Sequence, residues 1–264
     1  MTEPTINQLF DLSGRVALVT GGAGYLGSSM CRALAEAGAS VVISSRNLER
    51  AESAASELPV VGESRHFGVV LDHTDEESLK AGFQASIDQA GQIDILVNNG
   101  QGGPAKDWTN VTGEEFEQQL RNATGYFLLS RCFRDHVTAR SAAGSIVMIG
   151  SMYGIVGSYP EAYADVCPAS PVGYHALKGG IIQMTRHLAV YWAFDNIRVN
   201  CLSPGPFPND SAPAEMVTRL KDKSPMQRMG APHELKGALL LLTSDAGSYL
   251  TGQNLIVDGG WTAW

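Results

Sequence analysis

Residues 15–38 read RVALVTGGAGYLGSSMCRALAEAG, and this stretch decides the fold. VALVT (16–20) is short, apolar and rich in β-branched side chains, which marks a buried strand. A helical pattern follows at 25–37, and Gly38 stands where a helix stops. Between them Gly22, Gly24 and Gly27 form G-x-G-x-x-G. Such glycines permit a tight turn and let backbone N–H groups approach a pyrophosphate, with the positive end of the helix dipole behind them. Glycine turns are common connectors, so the motif gains weight from its place at the first strand–helix junction.

Working outward, SVVISS (40–45), FGVVL (67–71), IDILVNN (93–99), SIVMIG (145–150), IRVNCLS (197–203) and NLIVD (254–258) read as further strands. They lack strict polar alternation, as strands covered on both faces do. Helical patterns lie near 47–57, 75–90, 112–140, 173–194 and 232–243, with Asn47 and Thr74 as expected N-caps. The alternation predicts an α/β fold: a doubly wound (Rossmann) seven-stranded parallel sheet with helices on both faces. No linker, charge block or repeat divides residues 1–264, so one domain is expected. The proline-rich segment 204–231 is read as a mobile loop with a short helix over the active-site mouth.

The net charge of −8 argues against nucleic acid as a partner and offers no attraction to anionic lipid. The polar N-terminus MTEPTINQLFDLSGR lacks the apolar region of a secretory signal, and no apolar stretch reaches membrane-spanning length. Cys31, Cys132, Cys167 and Cys201 are far apart and share no ligand spacing with the histidines. Reduced thiols in the cytoplasm, and no metal, are expected.

The second strand selects the cofactor. NAD binding usually needs a carboxylate at its end for the ribose 2′-OH. Here stand Ser44, Ser45 and Arg46, with no acid before Glu49. Ser45 can donate to a phosphate, and Arg46 can stack on adenine or pair with a 2′-phosphate. NADP(H) is therefore expected over NAD(H). Asp72 is placed either to accept from the adenine amino group or to cap the next helix with Thr74.

Tyr174 and Lys178 form the chain's only Y-x-x-x-K, 23 residues after Ser151. A spacing of four puts them on one helix face. An ammonium beside a phenol favours the phenolate and is expected to lower its pKa from about 10 toward neutrality. Tyr174 can then move a proton to or from a substrate oxygen while hydride moves at a nicotinamide.

TGGAGYLG (20–27), LDHTDEESL (71–79), NNG (98–100), Asn122, Ser151, YHALK (174–178), RVNCLSPG (198–205) and TGQNLIVDGG (251–260) occur in this order. The chain thereby resembles the short-chain dehydrogenase/reductase family, short single-domain type, over nearly its whole length. The resemblance implies a tetrad of Asn122, Ser151, Tyr174 and Lys178. Ser151 would hold the substrate oxygen, Lys178 would also bond the nicotinamide ribose, and Asn122 would hold a water linking Lys178 to solvent. It implies cofactor contacts from Gly21, Gly22, Gly24, Tyr25, Leu26, Gly27, Ser45, Arg46, Asp72, His73, Asn98, Gly100, Tyr174, Lys178, Pro204, Gly205, Phe207 and Asn209. It also suggests a homotetramer. Three positions depart from the pattern: Tyr25 stands where short members carry glycine, Gln101 ends the N-N-A-G motif, and Asn209 replaces a threonine.

Ser151 and Tyr174 are separated by about ten residues more than in typical short members. The extra segment SYPEAYADVCPASP (158–171) carries Tyr159, Glu161, Tyr163 and Asp165 and is expected to cover the substrate mouth. Tyrosines and carboxylates suit a hydroxyl-rich substrate such as a sugar, sugar acid or polyol. A solvated loop or subunit contact is the plain alternative. The other functions weighed are a 3-oxoacyl-thioester reductase, a sugar-nucleotide epimerase-like enzyme suggested by Gly24-Tyr25, and a non-catalytic nicotinamide sensor.

Overall fold

A computed structural model describes residues 3–104 and 106–264; Met1, Thr2 and Ala105 lie outside them. The strands are β1 (Val16–Thr20), β2 (Ser40–Ser45), β3 (His66–Val70), β4 (Ile95–Asn98), β5 (Gly144–Ile149), β6 (Ile197–Pro204) and β7 (Asn254–Val257). The helices are α1 (Ile6–Phe10), α2 (Tyr25–Glu36), α3 (Leu48–Ser56), α4 (Glu76–Ala90), α5 (Gly113–Ala139), α6 (Pro160–Tyr163), α7 (Val172–Trp192), α8 (Ala214–Lys221) and α9 (Lys236–Thr243). All strands are parallel, in the order β3-β2-β1-β4-β5-β6-β7. The chain winds from β1 out to β3 and then returns beside β1 as β4. A crevice opens at the carboxyl ends of the strands where the order reverses.

Burial follows the pleat. Every residue of β1 is buried. Val16 and Leu18 join the core shared with α4, α5 and α7, while Ala17 and Val19 join the core shared with α2, α3 and α9. Both faces are covered, so the strand is apolar up to its last residue, Thr20, whose buried hydroxyl accepts the N–H groups of Asn99 and Gly100 at 2.9 and 2.8 Å. A third apolar cluster gathers Met152, α6, Leu220 of α8 and the C-terminal Trp261.

The helix ends largely follow the sequence. Asn47 caps α3, its Oδ1 accepting the Arg50 N–H at 2.8 Å. Gly38 follows α2 with φ of +95°. Thr74, however, does not cap α4. Its N–H and hydroxyl both donate to Asp72 Oδ1, at 2.9 and 2.7 Å, and Asp75 takes the cap by accepting the Ser78 N–H at 2.7 Å. β4 starts at Ile95 rather than 93. At Asp94 the side chain, not the backbone ladder, takes the Val16 N–H at 2.9 Å. The segment 204–231 contains α8, and α1, which the pattern did not predict, begins with a Thr5–Gln8 capping box. Among the described residues no helix is long and apolar enough to cross a membrane.

Candidate active site

The turn after β1 opens onto a cleft of about 550 Å³. Gly21 holds φ of +61°, a left-handed conformation that L side chains rarely adopt. Gly24 is the N-cap of α2 and supplies no side-chain acceptor, leaving the first N–H groups of that helix for a ligand. A Cβ on Gly27 would strike the Gly21 carbonyl oxygen, so this glycine lets α2 seat against the turn. Gly22 differs from the sequence reading. It faces the core, where a Cβ would lie 2.7 Å from Cys31 Sγ, and it does not line the cleft. A cradle of N–H groups free of side chains fits a dinucleotide pyrophosphate.

Ser44, Ser45 and Arg46 form the next stretch of wall, and no carboxylate stands with them. Arg50 joins them, its Nη2 donating to the Ala23 carbonyl at 3.1 Å. The sequence reading missed Arg50, although the Asn47 cap places it in the first turn of α3, close to the glycine turn. Asp72, His73 and Thr74 line the opposite side. Partial burial pushes the Asp72 carboxyl up, but the Thr74 hydrogen bonds and the charges of His73 and Arg46 outweigh it and hold the group below its ordinary value. Both Thr74 bonds fall on Oδ1, which leaves Oδ2 to accept from a ligand.

His73 ties this wall to α5. Burial pushes its imidazole below the ordinary range, with Arg46 and Lys178 acting in the same direction. Its Nε2 donates to Asn122 Oδ1 at 2.8 Å. That oxygen also accepts the Gly102 N–H at 2.9 Å, while Asn122 Nδ2 donates to the carbonyls of Gly102 and Gln119, each at 2.8 Å. Two bonds at each end exhaust an amide. No side-chain atom of Asn122 therefore remains for the water assigned to it, and its side chain instead clamps the loop after β4. Gly125, one turn along, touches the same segment. A Cβ there would overlap the His73 carbonyl oxygen. Because that neighbour is backbone and cannot swing away, Gly125→Ala should destabilise the fold by about 3 kcal/mol, the upper end for overpacking. Urea unfolding checks this; an unchanged midpoint would show that α5 can shift at no cost.

Ser151, Tyr174 and Lys178 come together at the end of β5. Ser151 and Lys178 are buried, and Tyr174 is half-buried. Lys178 Nζ donates to the Ile149 carbonyl at 2.7 Å and lies 5.4 Å from the centre of the Tyr174 ring. The expected downward shift of the phenol is not found. Burial pushes Tyr174 up, against a hydrogen bond from Ser151 that lowers it. Burial likewise pushes Lys178 down to about 8. Desolvation disfavours both charged forms, and it is the largest influence on each.

Other expected contacts lie elsewhere. Asn98 is fully buried, its Nδ2 donating to Ser130 Oγ at 2.9 Å, and it faces the core. The neighbouring Asn99 lines the cleft instead, its Nδ2 donating to the carbonyls of Thr20 and Gly21 at 2.9 and 3.1 Å. Gly100 does line the cleft. Pro204 ends β6, and Gly205 seats against Asp258, where a Cβ would clash. Phe207 lines a separate cavity of about 130 Å³. Asn209 is exposed and spends Oδ1 on Ser211 of its own loop. One contact spans the two regions: Tyr25 Oη donates to the Pro208 carbonyl at 3.0 Å.

The insertion also departs from expectation. Tyr163 is buried and pairs its hydroxyl with that of Tyr153 at 2.7 Å. Tyr159 packs edge-on against Trp261, with Lys223 Nζ 5.0 Å from its centre. Lys223 also reaches Glu161 at 3.8 Å. Arg219 of α8 donates to the carbonyls of Glu161 and Ala164. Asp165 is exposed. The polar groups offered as substrate contacts are thus engaged with Tyr153, with α8 and the residues just after it, and with Trp261, or are exposed.

A family model described as enoyl-(acyl carrier protein) reductase matches residues 22–262. The chain is 35% identical to a D-arabinitol 2-dehydrogenase (ribulose-forming) of Scheffersomyces stipitis, covering 97% of this chain and 96% of that protein. It is also 35% identical to a galactitol 2-dehydrogenase (L-tagatose-forming) of Cereibacter sphaeroides, covering 97% and 98%. A crystal structure of a gluconate 5-dehydrogenase from Burkholderia cenocepacia, in complex with NADP and tartrate, superposes with a TM-score of 0.87. The two are 29% identical, with 98% and 100% of the chains covered.

Proposed function

We propose that this chain, which belongs to the short-chain dehydrogenase/reductase family and is an NAD(P)-dependent oxidoreductase, interconverts a secondary alcohol and a ketone on a polyhydroxy substrate. The observation that carries the reading is the convergence of Ser151, Tyr174 and Lys178 in a chain similar over its full length to polyol dehydrogenases. The nicotinamide, when bound, accepts or supplies the hydride. Ser151 holds the substrate oxygen. Tyr174 gives that oxygen a proton in reduction and takes it in oxidation, and Lys178 sets the charge beside it. Asn122 and His73 fix the loop that forms the wall of the cleft.

NADP(H) is the proposed cofactor, supported by Arg46, Arg50 and the missing carboxylate at the end of β2. We read the assembly as a homotetramer, which would cover the exposed Val190, Tyr191 and Phe194, and the compartment as cytoplasmic. The second reading, an acyl-thioester reductase, draws on the description of the matching family model.

The test is a panel of pentitols, hexitols, sugar acids, ketoses and an acyl thioester with each cofactor, read at the reduced-nicotinamide absorbance. Polyols and ketoses should be turned over best, with NADP(H) preferred. Arg46→Ala should then weaken NADP(H) by about ten- to a hundred-fold and NAD(H) much less, the loss of one charge-assisted hydrogen bond. Preference for the thioester would overturn the substrate, and equal losses for both cofactors would overturn the reading of β2.

A further inference from the structure

Lys178 must carry its charge where little else supports it. Only 3% of the residue is exposed, and its one hydrogen bond among the described residues goes to the Ile149 carbonyl. Among the described residues no carboxylate contributes to its surroundings. The Cys201 thiol faces it from β6 and the His73 imidazole from the loop after β3. Burial pushes the thiol up, so it is no anion, and the imidazole down, which favours the neutral ring. Two aromatic rings do lie close to the ammonium. Its Nζ lies 5.4 Å from the centre of the Tyr174 ring and 5.8 Å from that of Tyr126.

We propose, on the reading of Lys178 as an ammonium in hydride transfer, that Tyr126 is a positioning residue. Its ring and that of Tyr174 form an aromatic seat that keeps Lys178 charged within the buried site. The face of an aromatic ring is negative and attracts a cation within about 6 Å of its centre, more strongly when water is excluded. Tyr126 is fully buried and its Oη has no hydrogen-bond partner, so the ring is the part that acts. It follows Asn122 by one turn on α5, and the four hydrogen bonds of that amide hold this stretch of helix in place.

The experiment is an NMR titration of the Lys178 side chain in the ligand-free protein, assigned with Lys178→Met. Tyr126→Phe keeps the ring and should leave the midpoint where it is. Tyr126→Leu should lower it by about one pH unit, the size of one cation–π contact in a desolvated site. Should the leucine variant fail to fold, phenylalanine and progressively fluorinated phenylalanines at position 126 keep the shape while draining the ring face, and the midpoint should fall stepwise. A flat series would overturn the proposal. So would equal shifts for Phe and Leu, which would assign the effect to the hydroxyl. The titration needs no substrate or cofactor. A failed seat therefore leaves the hydride-transfer reading standing, whereas an intact series in a protein with no dehydrogenase activity would sink that reading alone.

Discussion

Tyr174→Phe should lower kcat by about 10²–10⁴-fold, the usual contribution of a positioned proton donor, while cofactor affinity stays within a few-fold. Only the phenol oxygen is lost; the ring remains beside Lys178. The structure sets the direction of the pH dependence. Burial holds the Tyr174 proton on, so the side chain is poised as an acid for ketone reduction at neutral pH. Reduction also needs Lys178 charged, and that charge is lost as pH rises through about 8. Ketone reduction should therefore hold at neutral pH and decline on the alkaline side. Alcohol oxidation, which needs the phenol to accept a proton, should gain with pH until Lys178 discharges. A variant keeping more than a tenth of wild-type kcat would remove Tyr174 from the chemistry.

How far a sequence reveals such a site depends on whether the signal is local. The strands were legible because a two-sided parallel sheet demands continuous apolar runs, and VALVT supplies one. Tyr174 and Lys178 were legible because four residues make one helical turn. The glycine turn was legible as a motif but not as a division of labour: Gly24 opens the helix end, while Gly22 faces Cys31. Asn98 and Asn99 show the limit most plainly. Asn98 closes β4 and its side chain meets Ser130 of α5, whereas Asn99 lies just past the strand and bonds the carbonyls of Thr20 and Gly21; these partners are 32 and nearly 80 residues away in the chain. The insertion was hard to read for a different reason. Tyr159 and Glu161 read as polar equipment, yet their partners Trp261, Lys223 and Arg219 lie more than fifty residues away in the chain. Tyr126 gave no signal at all, since an aromatic residue on a buried helix face is ordinarily core.

Lys178→Met should abolish turnover yet leave the protein at least as stable at neutral pH. Burial holds Lys178 near 8 against an ordinary 10.5. At about 1.4 kcal/mol per pH unit, the folded state carries a penalty of about 3 kcal/mol wherever both states are protonated. The sign follows from proton binding. Below pH 8 folded and unfolded chains both hold the proton and the penalty is complete. Between about 8 and 10.5 the folded chain releases the proton while the unfolded chain keeps it, so stability from this group rises with pH. Methionine is close in shape and removes the penalty at every pH, but it leaves the Ile149 carbonyl without its donor, which costs about 1–3 kcal/mol. Urea unfolding of both proteins from pH 7 to 10 should therefore show the wild type gaining on the variant by about 2 kcal/mol across the range. A constant difference would mean that Lys178 titrates as an ordinary surface lysine. A gain with pH would show that the fold bears a buried charge it would be more stable without, and the reason for bearing it is the proton transfer next door at Tyr174.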